Sequence, residues 1–65
     1  MATFQVGDHV ERIGTLIPNY MRDGVVRCII HNADGVEWLT EYEVDFGRQL
    51  IATFYESQIR LVRPG

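Results

Sequence analysis

Lysine is absent from this 65-residue chain: all six basic side chains are arginines, set against nine Asp and Glu, for a net charge of −3. A nucleic-acid binder usually displays a basic face, and none is legible in this balance. Cysteine occurs once, as Cys28, which excludes an internal disulfide. The two histidines, His9 and His31, stand in no metal-ligand spacing with Cys28, so a structural metal is not expected either. No apolar run approaches the roughly 20 residues that cross a bilayer as a helix. The opening Met1-Ala2-Thr3-Phe4-Gln5 lacks the charged start and apolar core of an export signal. With a lone cysteine, that makes a reducing cytoplasm the expected compartment.

What is present is a chain that wants to be one small β domain spanning residues 1–65. Hydrophobic residues make up 46%, too many for a disordered segment. A domain of this size buries only about 60% of the surface its unfolded chain exposes. Without disulfide or metal, its stability must come from packing or self-association. There are no repeats or linkers, and no sustained helical period. The strongest periodicity is two. From Trp38 to Phe46, Trp38, Thr40, Tyr42, Val44 and Phe46 share one face, and Glu37, Leu39, Glu41, Glu43 and Asp45 share the other.

The β-branched stretch Val25 to His31 precedes this segment, joined to it by Asn32-Ala33-Asp34-Gly35. A three-residue loop closed by a glycine bulge would set Asn32 opposite Val36. Counting back then pairs Ile30 with Trp38, Cys28 with Thr40 and Val26 with Tyr42 on the core face. His31 with Glu37, Arg27 with Glu41 and Ile29 with Leu39 fall on the other. Gly47-Arg48-Gln49 makes a second tight turn, pairing Phe46 with Leu50, Val44 with Ala52 and Tyr42 with Phe54. Five strands result: about Asp8 to Ile13, Val25 to His31, Trp38 to Phe46, Leu50 to Tyr55 and Ile59 to Val62. A long irregular loop, Gly14 to Asp23, follows the first, and a polar turn, Glu56-Ser57-Gln58, precedes the last.

This order, two tight hairpins with a long first loop, resembles the bacterial SH3-like small β-barrels. Phe4-Gln5-Val6-Gly7-Asp8-His9-Val10 is similar to their opening, Gly24-Val25-Val26 to the start of their second strand, and Glu56 to Val62 to their close. The resemblance covers most of the chain and implies an all-β, five-stranded SH3-like barrel. It implies no single function, because such barrels host many. The Ala-Leu-Tyr-Asp-Tyr stretch of signalling SH3 domains is missing, which argues against polyproline binding. The type II dihydrofolate reductases form a similar barrel whose Val-Gln-Ile-Tyr strand lines a shared tetramer pore. Here the matching stretch is Ile51-Ala52-Thr53-Phe54, with Ala52 in place of the polar Gln. The SH3-like subunit of photosystem I, a docking subunit, has a comparable loop and β pattern.

Candidate chemistry is sparse. A general base needs a pocket and a group to orient it. His31 beside Glu37 reads as a surface ion pair, and Asp8 beside His9 as a turn cap. The alternating carboxylates of the third strand read as a solvated face. Cys28, on the assumed core face, is expected to be a buried, inert small hydrophobe. No catalytic residue, cofactor or metal is assigned. Two surfaces stand out. Val25, Ile29, Leu39 and Ile51 all point away from the assigned core and form a candidate interface. The alternative is a first loop folded back over them, with Leu16, Ile17 and Tyr20 as the lid. Tyr20 and Tyr55 are candidates to border a binding groove of the aromatic-cage kind. The expectation is therefore a non-catalytic module that docks onto a partner protein or onto copies of itself. The rival is an enzyme whose site forms only in a homo-oligomer, as in the type II dihydrofolate reductases.

Overall fold

The computed structural model describes residues 3–65; Met1 and Ala2, the start of the stretch read for an export signal, lie outside the described residues. Five strands form one antiparallel sheet: β1 (His9–Arg12), β2 (Gly24–Ile30), β3 (Glu41–Asp45), β4 (Ile51–Tyr55) and β5 (Ile59–Arg63), in the order β4-β3-β2-β1-β5. Short 3₁₀ turns occupy Asn19–Arg22, Glu37–Leu39 and Glu56–Gln58. The sheet is not closed: no ladder joins β4 to β5, and both are edges. Among the described residues no helix is long and apolar enough to cross a membrane.

The core is Phe4, Val10, Val26, Tyr42, Val44, Phe54 and Ile59, with Met21, Ile29, Phe46 and Ala52 packed against it. Phe4 meets the Tyr42 ring edge-on at 5.1 Å. The Tyr42 hydroxyl, carried into this apolar interior, accepts a hydrogen bond from the Thr3 N–H at 2.9 Å, as a buried phenol requires.

The β3–β4 hairpin has the register read from the sequence, with Val44 opposite Ala52 and Tyr42 opposite Phe54. Its turn is tight: Gly47, Arg48 and Gln49 all have positive φ, and the Phe46 N–H donates to the Leu50 carbonyl at 2.9 Å. The polar turn before β5 is also in place, with Gln58 Oε1 accepting from the Tyr55 N–H.

The β2–β3 register corrects the expected one. Asn32 and Gly35 do close a turn, with the Gly35 N–H on the Asn32 carbonyl, Asn32 Oδ1 accepting from Asp34 and Val36, and Gly35 at φ +75. The ladder does not start there. Glu37–Leu39 coils instead of extending, with the Leu39 and Thr40 N–H groups bonded to the Val36 and Glu37 carbonyls. Those groups are satisfied locally, so strand pairing begins only at Ile30 and Glu41. Val26 faces Val44 rather than Tyr42, and His31 and Glu37 fall outside the ladder. A bulge between Val26 and Cys28 then reverses the parity of the strand's end: Cys28 meets Glu43 and Ile29 meets Tyr42. Ile29 therefore packs against the core while Cys28 is exposed. The exchange places the larger apolar side chain inside, where it buries more area. Trp38, assigned to the core by alternation, is 67% exposed on the 3₁₀ turn.

Candidate functional site

The outer face of the sheet is built in rows. Ile30, Glu41 and Tyr55 lie side by side across β2, β3 and β4, as do Cys28, Glu43 and Thr53, and then Val25, Asp45 and Ile51. β3 thus carries a carboxylate in every row, flanked by apolar or small neighbours. Arg27, displaced by the bulge, pairs with Glu43 at 3.2 Å in place of the expected Glu41. Asp45 Oδ1 accepts from the Gly47 N–H and holds the β3–β4 turn.

This geometry breaks up the expected apolar strip. Val25 and Ile51 are on the outer face, separated by Asp45. Ile29 has moved inward, and Leu39 stands apart on its 3₁₀ turn. The lid pictured from the first loop is not formed by Leu16, whose side chain is fully exposed.

Tyr20 and Tyr55 do not border one groove. Tyr20 stands edge-on to Phe46 at 5.8 Å, and together with Met21, Leu50, Ile51 and Ala52 they line a shallow hollow of about 60 Å³. Tyr55 lies at the far end of β4, four residues from Ile51 and so roughly 13 Å along the strand.

The two sheet edges differ in character. β5 reads Ile-Arg-Leu-Val-Arg and is followed by Pro64, so charge and proline guard it. β4 reads Ile-Ala-Thr-Phe-Tyr: no charge, no proline, and a continuous ladder to β3 without a bulge. The Phe46–Leu50 bond sets the alternation of this hairpin, so Ala52 and Phe54 direct their backbone groups to β3, and Ile51, Thr53 and Tyr55 direct theirs to the open edge. Of these, the Tyr55 N–H is already held by Gln58.

A second feature, which sequence reasoning missed, is a cleft of about 390 Å³ where the end of β1 meets the first loop and β5. Glu11, Arg12, Ile13, Leu16, Arg22 and Arg60 are among its lining residues. Its arginines come from three separate elements, so no local motif announces them. Among the described residues, no three His, Cys, Asp or Glu side chains converge as a metal site. Comparison with protein-family models, curated proteins and solved structures finds no match.

Proposed function

We propose that this chain is a non-catalytic self-assembly module of the SH3-like type, pairing with a second copy through the β4 edge. The strand order, the long first loop, and the bulge that bends β2 where it leaves β1 for β3 support the SH3-like reading. The observation that carries the assembly reading is the unguarded edge itself. Exposed edge strands are ordinarily blunted by charge, proline or a bulge. β5 carries two arginines, is followed by Pro64, and has an irregular register to β1 at Val62, and β4 has none of these.

The occupant is a second copy because the strand is self-complementary. Antiparallel pairing about a two-fold axis at Thr53 sets Ile51 against Tyr55 of the other copy on the outer face and Ala52 against Phe54 on the inner face. Thr53 meets its own counterpart with both backbone groups free to bond, which is the isologous pattern of a two-fold dimer. Ile51 and Tyr55 are each about two-fifths exposed, so there is apolar surface left to hide. Four such side chains gain about 1 kcal/mol each. Association costs upward of about 4 kcal/mol, so the expected dimer is weak and concentration-dependent.

Sedimentation equilibrium tests this directly. The wild-type chain, 7.5 kDa, is expected to approach twice that mass in the high micromolar range. Thr53→Lys, at an exposed position, should return it to monomer with its β spectrum intact, and Leu61→Lys on the guarded edge should not. A wild-type chain that stays monomeric at high micromolar concentration refutes the reading.

A further inference from the structure

The charge pattern of the arginine cleft points to a ligand. Arg27, Arg60 and Arg63 are paired with Glu43, Glu11 and Asp23. Among the described residues, Arg12, Arg22 and Arg48 have no carboxylate partner, and the first two line one cleft. Each is held in place by other means. Arg12 lies over the Phe54 ring at 5.4 Å, and its Nε is buried without a hydrogen-bond partner. The Arg22 Nε donates to Asn19 Oδ1 at 3.2 Å, which ties the guanidinium to the 3₁₀ turn that presents it. The nearest acid in sequence, Asp23, is engaged by His9 and Arg63. Glu11, the carboxylate in the cleft, is engaged by Arg60. In a chain with a net charge of −3, this leaves two uncompensated positive charges facing one space.

The rest of the lining is apolar. Ile13 and Ile17 contribute to the wall, and Leu16, fully exposed with φ +58, stands at the rim with nothing of this chain to cover it. Two guanidiniums suit a dianion with several acceptor oxygens, since each presents a planar fork of donors. A phosphate monoester carries close to two negative charges at neutral pH, whereas a single carboxylate carries one. We propose that the cleft binds an organic phosphate monoester, its phosphate between Arg12 and Arg22 and its apolar body against Ile13, Leu16 and Ile17. This site is distinct from the β4 edge and does not depend on the assembly reading.

The test is a titration of the full chain with phenyl phosphate, followed by amide and arginine Nε–H resonances at constant ionic strength set with sodium chloride. Saturable shifts confined to residues 11–17, 22 and 60 are expected, with inorganic phosphate binding more weakly. Arg22→Gln, at an exposed position, should weaken phenyl phosphate about tenfold, while Arg48→Gln, outside the cleft, leaves it unchanged. Arg12→Gln is the less safe variant because Arg12 packs over Phe54, so Arg22→Gln is decisive. Shifts that grow linearly without saturation, an Arg22→Gln chain that binds as wild type, or benzoate binding as tightly as phenyl phosphate would each overturn the proposal.

Discussion

Gly24→Ala is the substitution that most sharply probes the packing of the inner face. Gly24 is buried, and its φ is not positive, so the backbone itself tolerates alanine. The difficulty is space. A Cβ there would sit 2.7 Å from two Phe46 ring carbons and closer still to Val44 Cγ1, whereas carbons in good contact are about 3.5–4.0 Å apart. Something must move by about 1 Å. Val44 is completely buried between Val26 and Ala52 and has nowhere to go. Phe46, half-buried, yields on its side and leaves its edge-on contacts with Phe54 at 6.0 Å and Tyr20 at 5.8 Å, while the closer Val44 contact is relieved only by a shift of the β2 or β3 backbone. Overpacking of this kind costs about 1–3 kcal/mol, and each aromatic pair adds about 0.5–1.5 kcal/mol when lost. Against this stand the extra methyl and the stiffer unfolded chain, together about 1–2 kcal/mol. The expected net loss is about 2 kcal/mol, a large share of the roughly 3–10 kcal/mol a domain of this size possesses. In thermal denaturation that is a drop of about 8–16 °C in Tm. Phe46→Leu in the same chain should relieve part of the clash, visible as a coupling of at least about 0.5 kcal/mol in a double-mutant cycle. A Gly24→Ala chain with an unchanged or raised Tm would refute the packing described here.

Three other outcomes follow from the β2–β3 region. Cys28, exposed opposite Glu43, should react with a thiol reagent in the native protein at a rate close to that of the unfolded chain; slow labelling would put it back in the core. Trp38 is the only tryptophan and is 67% exposed, so its fluorescence should be that of a hydrated indole and be quenched readily by iodide. Gly35, at φ +75 with open space around its Cα, should lose only about 1–2 kcal/mol on substitution by alanine, because the penalty is backbone strain without a clash, as urea unfolding would measure.

How much of this was legible beforehand depended on how locally each feature is determined. The Asn32–Gly35 turn rests on the conformational freedom of Gly35, and the Gly47–Gln49 turn on Gly47 together with Arg48 and Gln49, which also take positive φ, so both were readable from a few residues. So was the β3–β4 register, since a tight turn joining two alternating strands leaves one pairing that keeps Tyr42, Val44, Ala52 and Phe54 on a common face. The polar turn at Glu56–Gln58 followed from its composition and length.

The β2–β3 register was not readable in the same way. The alternation from Trp38 to Phe46 is real in the sequence, but only its second half becomes strand. Alternation says which residues can share a face; it does not say where pairing starts. That was decided by the Glu37–Leu39 turn satisfying its own backbone groups and by a bulge that brings Ile29 to Tyr42 in place of Cys28. Both depend on the sheet already being assembled, as does the core role of Phe4, Val10 and Ile59, which come from the two ends of the chain. The arginine cleft is tertiary in the same sense. Arg12, Arg22 and Arg60 are separated along the chain, and they meet only because β5 returns to pair with β1 and the first loop folds beside them. Sequence determined an all-β chain with its turns and one hairpin, because those rest on neighbouring residues. Tertiary structure decided which side chains face solvent on β2, which edge is unguarded and which charges are left uncompensated, because each rests on groups brought together from a distance.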